Sequence, residues 1–222
     1  MGRPPGQSAG FEARRAEIID QAAKLFAVQG YAATGTVQLG QHVGLAKGAL
    51  YHYIGSKEDL LVAIQERVLG PLLERAQVIS ELEASAVVKL RLISHFLMET
   101  IFQRLDYIWV YEHDYKHLTG ERKELVLQQR RTFESIVRGY VIEAVETGAL
   151  RDLDVRLATL QFLNLHNHSY QWVDPAGKYS ATELSKAYCD TLFRGWAQDM
   201  NLDEVEKHVA ALLRLVQLPS RA

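Results

Sequence analysis

The sequence predicts an all-α protein, with an N-terminal three-helix head that contains a helix-turn-helix and a longer helical body behind it. Two observations support this fold class. Apolar residues recur three or four positions apart along most of the 222 residues, which is the spacing of one helix face. Beyond residue 64, proline occurs only at Pro71, Pro175 and Pro219, so few positions interrupt a helix.

The head is predicted to contain two short helices joined by a glycine turn. Val37, Leu39 and Val43 form a short apolar stripe on the first of them. Gly44 then ends that helix, because glycine readily adopts the left-handed backbone found there. A second helix is expected to begin near Lys47.

The second short helix presents small and polar side chains outward. Leu45 and Leu50, with Tyr53 or Ile54, are expected to face the core of the head. The opposite face then carries Lys47, Gly48, Ala49, Tyr51 and His52. Lysine can reach a phosphate, glycine allows close approach of the backbone, and tyrosine and histidine can hydrogen-bond a phosphate or a base edge. This pattern predicts a recognition helix that enters the major groove of DNA.

The next helix boundary is predicted at residues 55–59. Ser56 is a favoured N-cap residue, and Asp59 three positions later completes a near capping box. Lys57 is left free to reach the DNA backbone. We therefore expect a helix-turn-helix domain over 11–55 and a longer helical domain over 56–222, the part of the chain that would bind a ligand and dimerise if it is similar to the family named next.

Residues 15–64 resemble the TetR family of bacterial transcriptional regulators. The likeness is carried by AEIIDQAAKLFAVQGYAAT and GQHVGLAKGALYHYIGSKEDLL, in order and without a gap. Gly35, Gly40 and Ala46 depart from the usual residues, and Ala46 lacks the side chain that usually caps the recognition helix, a loss of about 1 kcal/mol. The resemblance implies a double-stranded DNA operator as partner. Operator contacts are expected from Arg14, Thr34, Thr36, Lys47, Gly48, Ala49, Tyr51, His52 and Lys57.

Charge is unevenly distributed along the chain. The formal net charge is -2, yet residues 1–57 hold six Lys and Arg against three Asp and Glu. A locally basic head on an acidic body can neutralise phosphates, and its DNA affinity should depend strongly on salt. Residues 1–10, rich in glycine and proline, are expected to form a disordered arm.

Composition predicts a cytoplasmic protein. Hydrophobic residues make up 48% and charged residues 23% of the chain, which indicates a soluble globular fold. Charges interrupt every apolar run well short of the ~20 residues that a bilayer requires, so no membrane partner is expected. Cys189 is the one cysteine, which leaves no internal disulfide framework.

The body is predicted to be helical over 56–80, 84–104, 107–117, 121–147, 154–172, 181–199 and 203–217. Pro71 follows Gly70 inside the first of these helices. Proline removes a backbone donor and clashes with the preceding turn, so we expect a kink there. In the family this helix joins head to body, which makes the kink a candidate hinge.

Two segments of the body, 107–117 and 162–172, are dense in aromatic and polar side chains. Buried polar groups require partners, so Asn, His and Tyr among apolar residues indicate either a ligand cavity or a satisfied core or dimer contact. On the cavity interpretation the effector-binding residues are Trp109, Tyr111, Glu112, His113, Tyr115, Gln129, Phe133, Phe162, His166 and Tyr170.

Metal and catalytic interpretations are less well supported. His113 and His117 can share a helix face, but His166 and His168 diverge on a helix and no cysteine is near them, so we predict no metal site and no cofactor. The sequence has no Gly-rich phosphate loop, no nucleophile elbow and no HExxH motif. An enzyme is therefore not expected, although a helical enzyme stays the alternative class.

The late helices suggest how the protein assembles. In the family, the pair corresponding to 154–172 and 182–199 packs against its copy as a four-helix bundle and forms a homodimer. Apolar positions that can contribute are Leu157, Leu160, Leu184, Tyr188, Leu192 and Phe193. The body is also similar to family members that respond to acyl-CoA thioesters, so a hydrophobic effector that releases a repressor from a palindromic operator is expected. A regulator of drug or aromatic-compound response is the alternative.

Overall fold

The computed structural model describes residues 9–197 and 200–216, which contain ten α-helices and no strand. The helices are α1 Ala9–Gln29, α2 Thr36–His42, α3 Lys47–Ile54, α4 Lys57–Ser80, α5 Ala86–Gln103, α6 Leu105–His113, α7 Gly120–Glu146, α8 Val155–Asn167, α9 Ala181–Trp196 and α10 Leu202–Val216. The predicted all-α class is confirmed.

Two predicted body helices are shorter than expected. The helix predicted over 107–117 ends at His113 and is followed by a 3-10 turn at Tyr115–His117. The helix predicted over 154–172 ends at Asn167, and a 3-10 turn, His168–Gln171, follows it. In both, the backbone leaves the α-helix where several bulky polar and aromatic side chains follow one another. α1 begins at Ala9, and residues 1–8 of the predicted arm lie outside the described residues.

The chain divides into two compact units that do not follow the sequence order. The first contains residues 1–68 and 106–127, and the second contains 69–105 and 128–222. The helices α4 and α7 therefore each continue well into both units, whereas α6 has only its first residue, Leu105, in the second. Pro71 lies inside α4, which is helical throughout Lys57–Ser80; the hinge stays a prediction.

The core of the first unit is formed by the apolar faces of α1, α2, α3 and the first half of α4. Side chains that are almost completely buried there include Ile18, Ile19, Phe26, Leu39, Leu50, Leu60, Leu61 and Ile64. Two arginines of α1 also hold the short helices. Arg14 Nη2 donates to the carbonyl of Val43 at 2.7 Å, and Arg15 Nε donates to that of Tyr53 at 3.2 Å.

In the second unit, α5 is the central helix, since nearly all of its side chains are buried. It packs against α8, α9 and α10. Leu184 and Phe193 of α9 are buried in this core, so they are not available for the dimer contact that their spacing suggested. Leu157 and Leu160 of α8 are exposed.

Several buried polar groups in this core are paired. Arg91, 2% exposed, donates to both carboxylate oxygens of Glu206 on α10, at 2.5 and 3.2 Å. Ser94 Oγ lies 2.6 Å from His166 Nε2, and His166 Nδ1 lies 2.7 Å from the carbonyl of Phe162. These distances fix the tautomer, because the carbonyl must accept from Nδ1–H, which leaves Nε2 to accept from Ser94. Burial lowers the pKa of His166 to about 4, so the ring is neutral at pH 7.

Candidate nucleic-acid interface and effector site

The turn between α2 and α3 is built from two glycines. Gly44 has a φ of +69°, the left-handed conformation expected of it. At Gly40, an added Cβ would lie 2.7 Å from the carbonyl oxygen of Leu45, whose backbone N–H donates to the Gly40 carbonyl at 2.8 Å. An alanine at this position would thus force the turn to open. Glycine at position 40 therefore allows the Leu45 carbonyl to pack closely against α2.

Neither short helix has a side-chain cap at its start. Gly35 precedes α2 and Ala46 precedes α3, both with extended backbone and no side-chain hydrogen bond. The missing cap at Ala46 was expected from the sequence. The start of α4 is capped as predicted: Ser56 Oγ accepts from the N–H of Asp59, and Asp59 Oδ2 accepts from the N–H of Ser56, both at 3.0 Å.

The outer face of α3 carries the residues expected to read DNA. Lys47, Gly48, Ala49 and His52 are exposed and Tyr51 is half-buried, whereas Leu50 and Ile54 are buried. The ammonium group of Lys47 lies 5.9 Å from the ring centre of Tyr51. These residues lie on the outer face of α3, and their contact with DNA stays a prediction.

Other predicted operator contacts have partners within the first unit. Arg14 bonds Glu17 and Val43, and the buried Thr34 hydroxyl donates to the carbonyl of Gly30 at 2.9 Å. Lys57 donates to the carbonyl of Tyr31, its ammonium group lies 3.9 Å from that tyrosine's ring centre, and burial lowers its pKa. Lys57 is therefore not free, contrary to the expectation. Thr36, at the first position of α2, is partly exposed.

The sequence pattern misplaced one side chain of the head. Val37 was assigned to the inward stripe with Leu39 and Val43, but it is 62% exposed. The physical reason is that Leu39 and Gly40 form the inner face of this seven-residue helix, and the buried Val43 directly follows it. Val37 therefore lies outside the core, with the exposed Gln38 next to it.

The predicted effector residues divide between the two units. Trp109, Tyr111, Glu112, His113 and Tyr115 belong to the first unit, and Gln129, Phe133, Phe162, His166 and Tyr170 belong to the second. Trp109 is 41% exposed and stacks on His113, with ring centres 4.3 Å apart. His166 and Phe162 are completely buried and contact each other within the core. The ten residues thus belong to two different units, and their role in effector binding stays a prediction.

A different set of polar atoms in the second unit lacks partners. Among the described residues, the buried side-chain atoms without a hydrogen bond include Arg75 Nε on α4, His95 Nδ1 on α5, and Gln129 Oε1 and Tyr140 Oη on α7. Of the residues that carry them, the sequence pointed to Gln129 alone. The histidines and tyrosines that the sequence singled out cluster along the chain, whereas His95 and Tyr140 stand alone, so no local signal marked them.

The surroundings of these atoms are aromatic and charged. The Arg75 guanidinium lies 4.7 Å from the ring centre of Phe96, and His95 Nε2 lies 3.3 Å from a carboxylate oxygen of Glu99. The hydrogen bond from His95 lowers the pKa of Glu99, and burial raises that of Tyr140 to about 12. Tyr140 is thus a neutral hydroxyl that can donate one hydrogen bond.

Two further properties of the described residues concern membranes and metals. None of the helices in residues 9–197 and 200–216 combines the length and apolarity needed to cross a membrane. Within the same residues, no group of three or more His, Cys, Asp or Glu side chains is arranged to hold a metal ion.

The first unit has a closely packed glycine turn and an outward-facing recognition helix, and the second unit is helical. Together these features define a DNA-binding regulator of the helix-turn-helix class. The chain belongs to the TetR family of bacterial regulatory proteins: residues 18–64 match that family's DNA-binding part, and residues 83–196 match the tetracyclin repressor-like C-terminal domain. Membership confirms the prediction of a ligand-responsive transcriptional regulator with operator DNA, an effector and a second copy as its partners. The family is one of transcription regulators.

Several known proteins are similar over most of their length. The TetR family regulator PfmR of Thermus thermophilus superposes with a TM-score of 0.74 at 30% identity, covering 82% of this chain and 99% of that one. The transcriptional repressor KstR2 of Rhodococcus jostii is 27% identical over 206 residues, 89% of this chain and 98% of the relative. The fatty acid metabolism regulator protein of Bacillus subtilis is 27% identical over 183 residues, 81% and 93% respectively.

Proposed function

We propose that this protein is a cytoplasmic repressor without enzymatic activity, and that an acyl-CoA thioester bound in its second unit releases it from a palindromic operator. The observation that carries the effector part is the set of buried atoms without partners, Arg75 Nε, His95 Nδ1, Gln129 Oε1 and Tyr140 Oη. Each would cost free energy if nothing bonded to it, typically about 1 to 3 kcal/mol. An extended ligand with several polar groups would remove that cost, since Gln129 and Tyr140 lie eleven residues apart on α7.

The chemistry of these atoms suits a thioester. Its carbonyl oxygen is an acceptor, and the Nε–H of Arg75 and the hydroxyl of Tyr140 are donors. Phe96 and Phe133, both buried in the same unit, offer apolar surface to an acyl chain. One of the relatives is a fatty acid metabolism regulator, and this likeness supports an acyl effector. The alternative effector is a drug or an aromatic compound.

The repressor is proposed to act as a homodimer through the outer faces of α8 and α9. Leu157, Leu160 and Trp172 are 54, 37 and 55% exposed. An open groove on this surface is lined in part by Leu165 and Leu192. A second copy would cover this apolar surface, and a twofold dimer would place two recognition helices about one DNA turn apart.

Release from DNA is then a shift between two states of the dimer. The effector can change operator affinity only through its different affinity for the two states, and a coupling of about 1 to 3 kcal/mol is typical. Both α4 and α7 connect the two units along the chain, so either can carry the change.

The effector proposal is tested by thermal shift with palmitoyl-CoA, isovaleryl-CoA, free CoA and benzoate. A ligand of the native state raises the melting temperature by mass action. We expect the acyl thioesters to raise it and free CoA and benzoate to leave it unchanged. Gel shifts on DNA selected by the wild-type protein then measure whether the same thioesters release it.

Variants locate the site. Tyr140→Phe removes one donor without changing the shape of the ring. We expect the thioester concentration that gives half of the maximal rise in melting temperature to increase about tenfold. Tyr179→Phe, which alters a tyrosine that is 49% exposed in the same unit, is the matched control. Equal responses of the two variants would place the effector elsewhere, and a response to benzoate alone would favour the aromatic-compound alternative.

A further inference from the structure

The starts of α4 and α7 are joined by four polar side chains of the first unit, Glu58, Asp59, Thr119 and Arg122, which we call the paired-start cluster. Glu58 Oε1 accepts hydrogen bonds from the backbone N–H of Thr119 at 2.7 Å and from its hydroxyl at 3.0 Å. Asp59 Oδ1 accepts from Arg122 Nε at 2.7 Å, and Arg122 Nη2 lies 2.6 Å from the same oxygen as an ion pair. A further guanidinium nitrogen of Arg122 lies 3.8 Å from Glu58.

The two acids do the same work for two different helices. Ser56 directly precedes α4, and Asp59 accepts both its N–H and its hydroxyl. Thr119 directly precedes α7, and Glu58 accepts the same two groups there. An acid that bonds the N-cap N–H is half of a capping box, so α4 provides this half for itself and for α7. Because Glu58 and Asp59 are adjacent, neither helix start can shift without breaking charge-assisted bonds.

Arg122 occupies a position that is unfavourable for a cation. It lies in the first turn of α7, where the helix dipole disfavours positive charge. Its contacts with two carboxylates offset that effect. The pKa of Asp59 is lowered by its hydrogen bonds with Ser56 and also by Arg122. A solitary exposed ion pair contributes little, but here one guanidinium joins two acids that each hold a helix start.

The paired-start cluster directly adjoins the recognition helix. Gly55 alone separates the end of α3 at Ile54 from Ser56. Its φ is +71°, and a Cβ added there would lie 2.8 Å from Asp59 Oδ2. The carboxylate of Asp59 therefore rests against the link that follows α3, while its other oxygen bonds α7. From there α7 continues along the chain into the second unit.

We propose that Arg122 is a positioning residue: through Asp59 and Glu58 it holds α3 in its operator-binding position and transmits effector-dependent changes of α7 to that helix. The transmission part rests on the proposed function, since it requires an effector in the second unit. The positioning part does not.

The test compares Arg122→Gln with Lys123→Gln. Both remove one positive charge from the first turn of α7, but the structure places Arg122 alone of the two on the acids. Hydrogen exchange of the peptide covering residues 47–56 reports on α3 without any ligand. Binding of wild-type-selected DNA, measured by fluorescence anisotropy with and without palmitoyl-CoA, reports on affinity and on its response. Circular dichroism checks that each variant is folded.

We expect Arg122→Gln to weaken DNA binding at least about fivefold beyond Lys123→Gln, the lower end of usual coupling effects. It should also speed exchange in α3 and reduce the fold-change that palmitoyl-CoA causes. Arg122→Lys, which keeps the charge but not the paired nitrogens, should recover part of each effect. Equal exchange and equal affinity in the two glutamine variants would overturn the positioning role. If wild type binds DNA but ignores every acyl-CoA, the proposed effector is wrong, and the two ligand-free measurements still decide the role of Arg122.

Discussion

The buried histidine of the second unit makes stability depend on pH in a defined direction. His166 is completely buried and its pKa is about 4 in the folded protein, against an ordinary value of roughly 6.5. As the pH falls below about 6.5, the unfolded chain binds a proton at this residue and the folded chain does not. Stability that is fully present above this pH is therefore lost as the pH falls towards 4.

The size of this effect follows from the difference between the two pKa values. One pKa unit corresponds to about 1.36 kcal/mol, so His166 should remove about 2 kcal/mol from the free energy of unfolding between about pH 8 and about pH 5. Urea unfolding followed by circular dichroism, at one fixed protein concentration because of dimerisation, measures it. Other groups also titrate in this range, so the informative quantity is the difference between variants.

The variant His166→Gln should lose about 2 kcal/mol less than wild type over this pH range. The control His168→Gln, at an exposed histidine two residues away, should behave as wild type. Equal losses in wild type and His166→Gln would refute the reasoning. If His166→Gln does not fold, the ring proton of His166 can be followed by NMR, and a titration midpoint near about pH 6.5 would refute it equally well.

Four further predictions concern the head and the assembly. Ala46→Ser supplies the missing cap of α3 and should raise the free energy of unfolding by about 0.5 to 1 kcal/mol, as measured by urea unfolding; no gain would mean that the serine does not reach the α3 amides. Gly40→Ala should lower it by about 1 to 3 kcal/mol in the same assay, because the added Cβ meets the Leu45 carbonyl; unchanged stability would show that the turn opens freely. Lys47→Ala should weaken binding to all DNA sequences. It should also lower the slope of log affinity against log salt concentration by about one for each head, and an unchanged slope would mean that Lys47 contacts no phosphate. Leu160→Glu should shift the protein from dimer to monomer in sedimentation, and a persistent dimer would place the interface on another surface.

The features that the sequence predicted are those decided by neighbouring residues. The left-handed Gly44 and the Ser56–Asp59 cap depend on the chemistry of a few adjacent positions, and the structure has both. The helical spacing of residues around the buried Leu50 likewise predicts which residues of α3 face outward. The same local rules failed at Val37, because a seven-residue helix has too few positions for a stripe to be judged.

The features that the sequence missed depend on residues that are distant along the chain. Nothing near Lys57 indicates that its ammonium group lies on the ring of Tyr31, 26 residues earlier. Likewise the unpartnered atoms of His95 and Tyr140 become visible only when the helices are packed. The aromatic density at Trp109 indicated a ligand cavity or a polar contact, which stays a prediction, and the spacing could not assign Trp109 to a different unit from His166.

The composition of the first unit from residues 1–68 and 106–127 has a consequence for building hybrid regulators. Grafting residues 11–55 onto the body of a relative would leave the whole paired-start cluster behind, including Asp59, whose carboxylate lies against Gly55. A graft that also carries residues 56–68 and 106–127 keeps both sides of these contacts. Over evolutionary time the same constraint should make residues 56–59 and 119–122 covary, because a change on one side of these contacts requires a compensating change on the other.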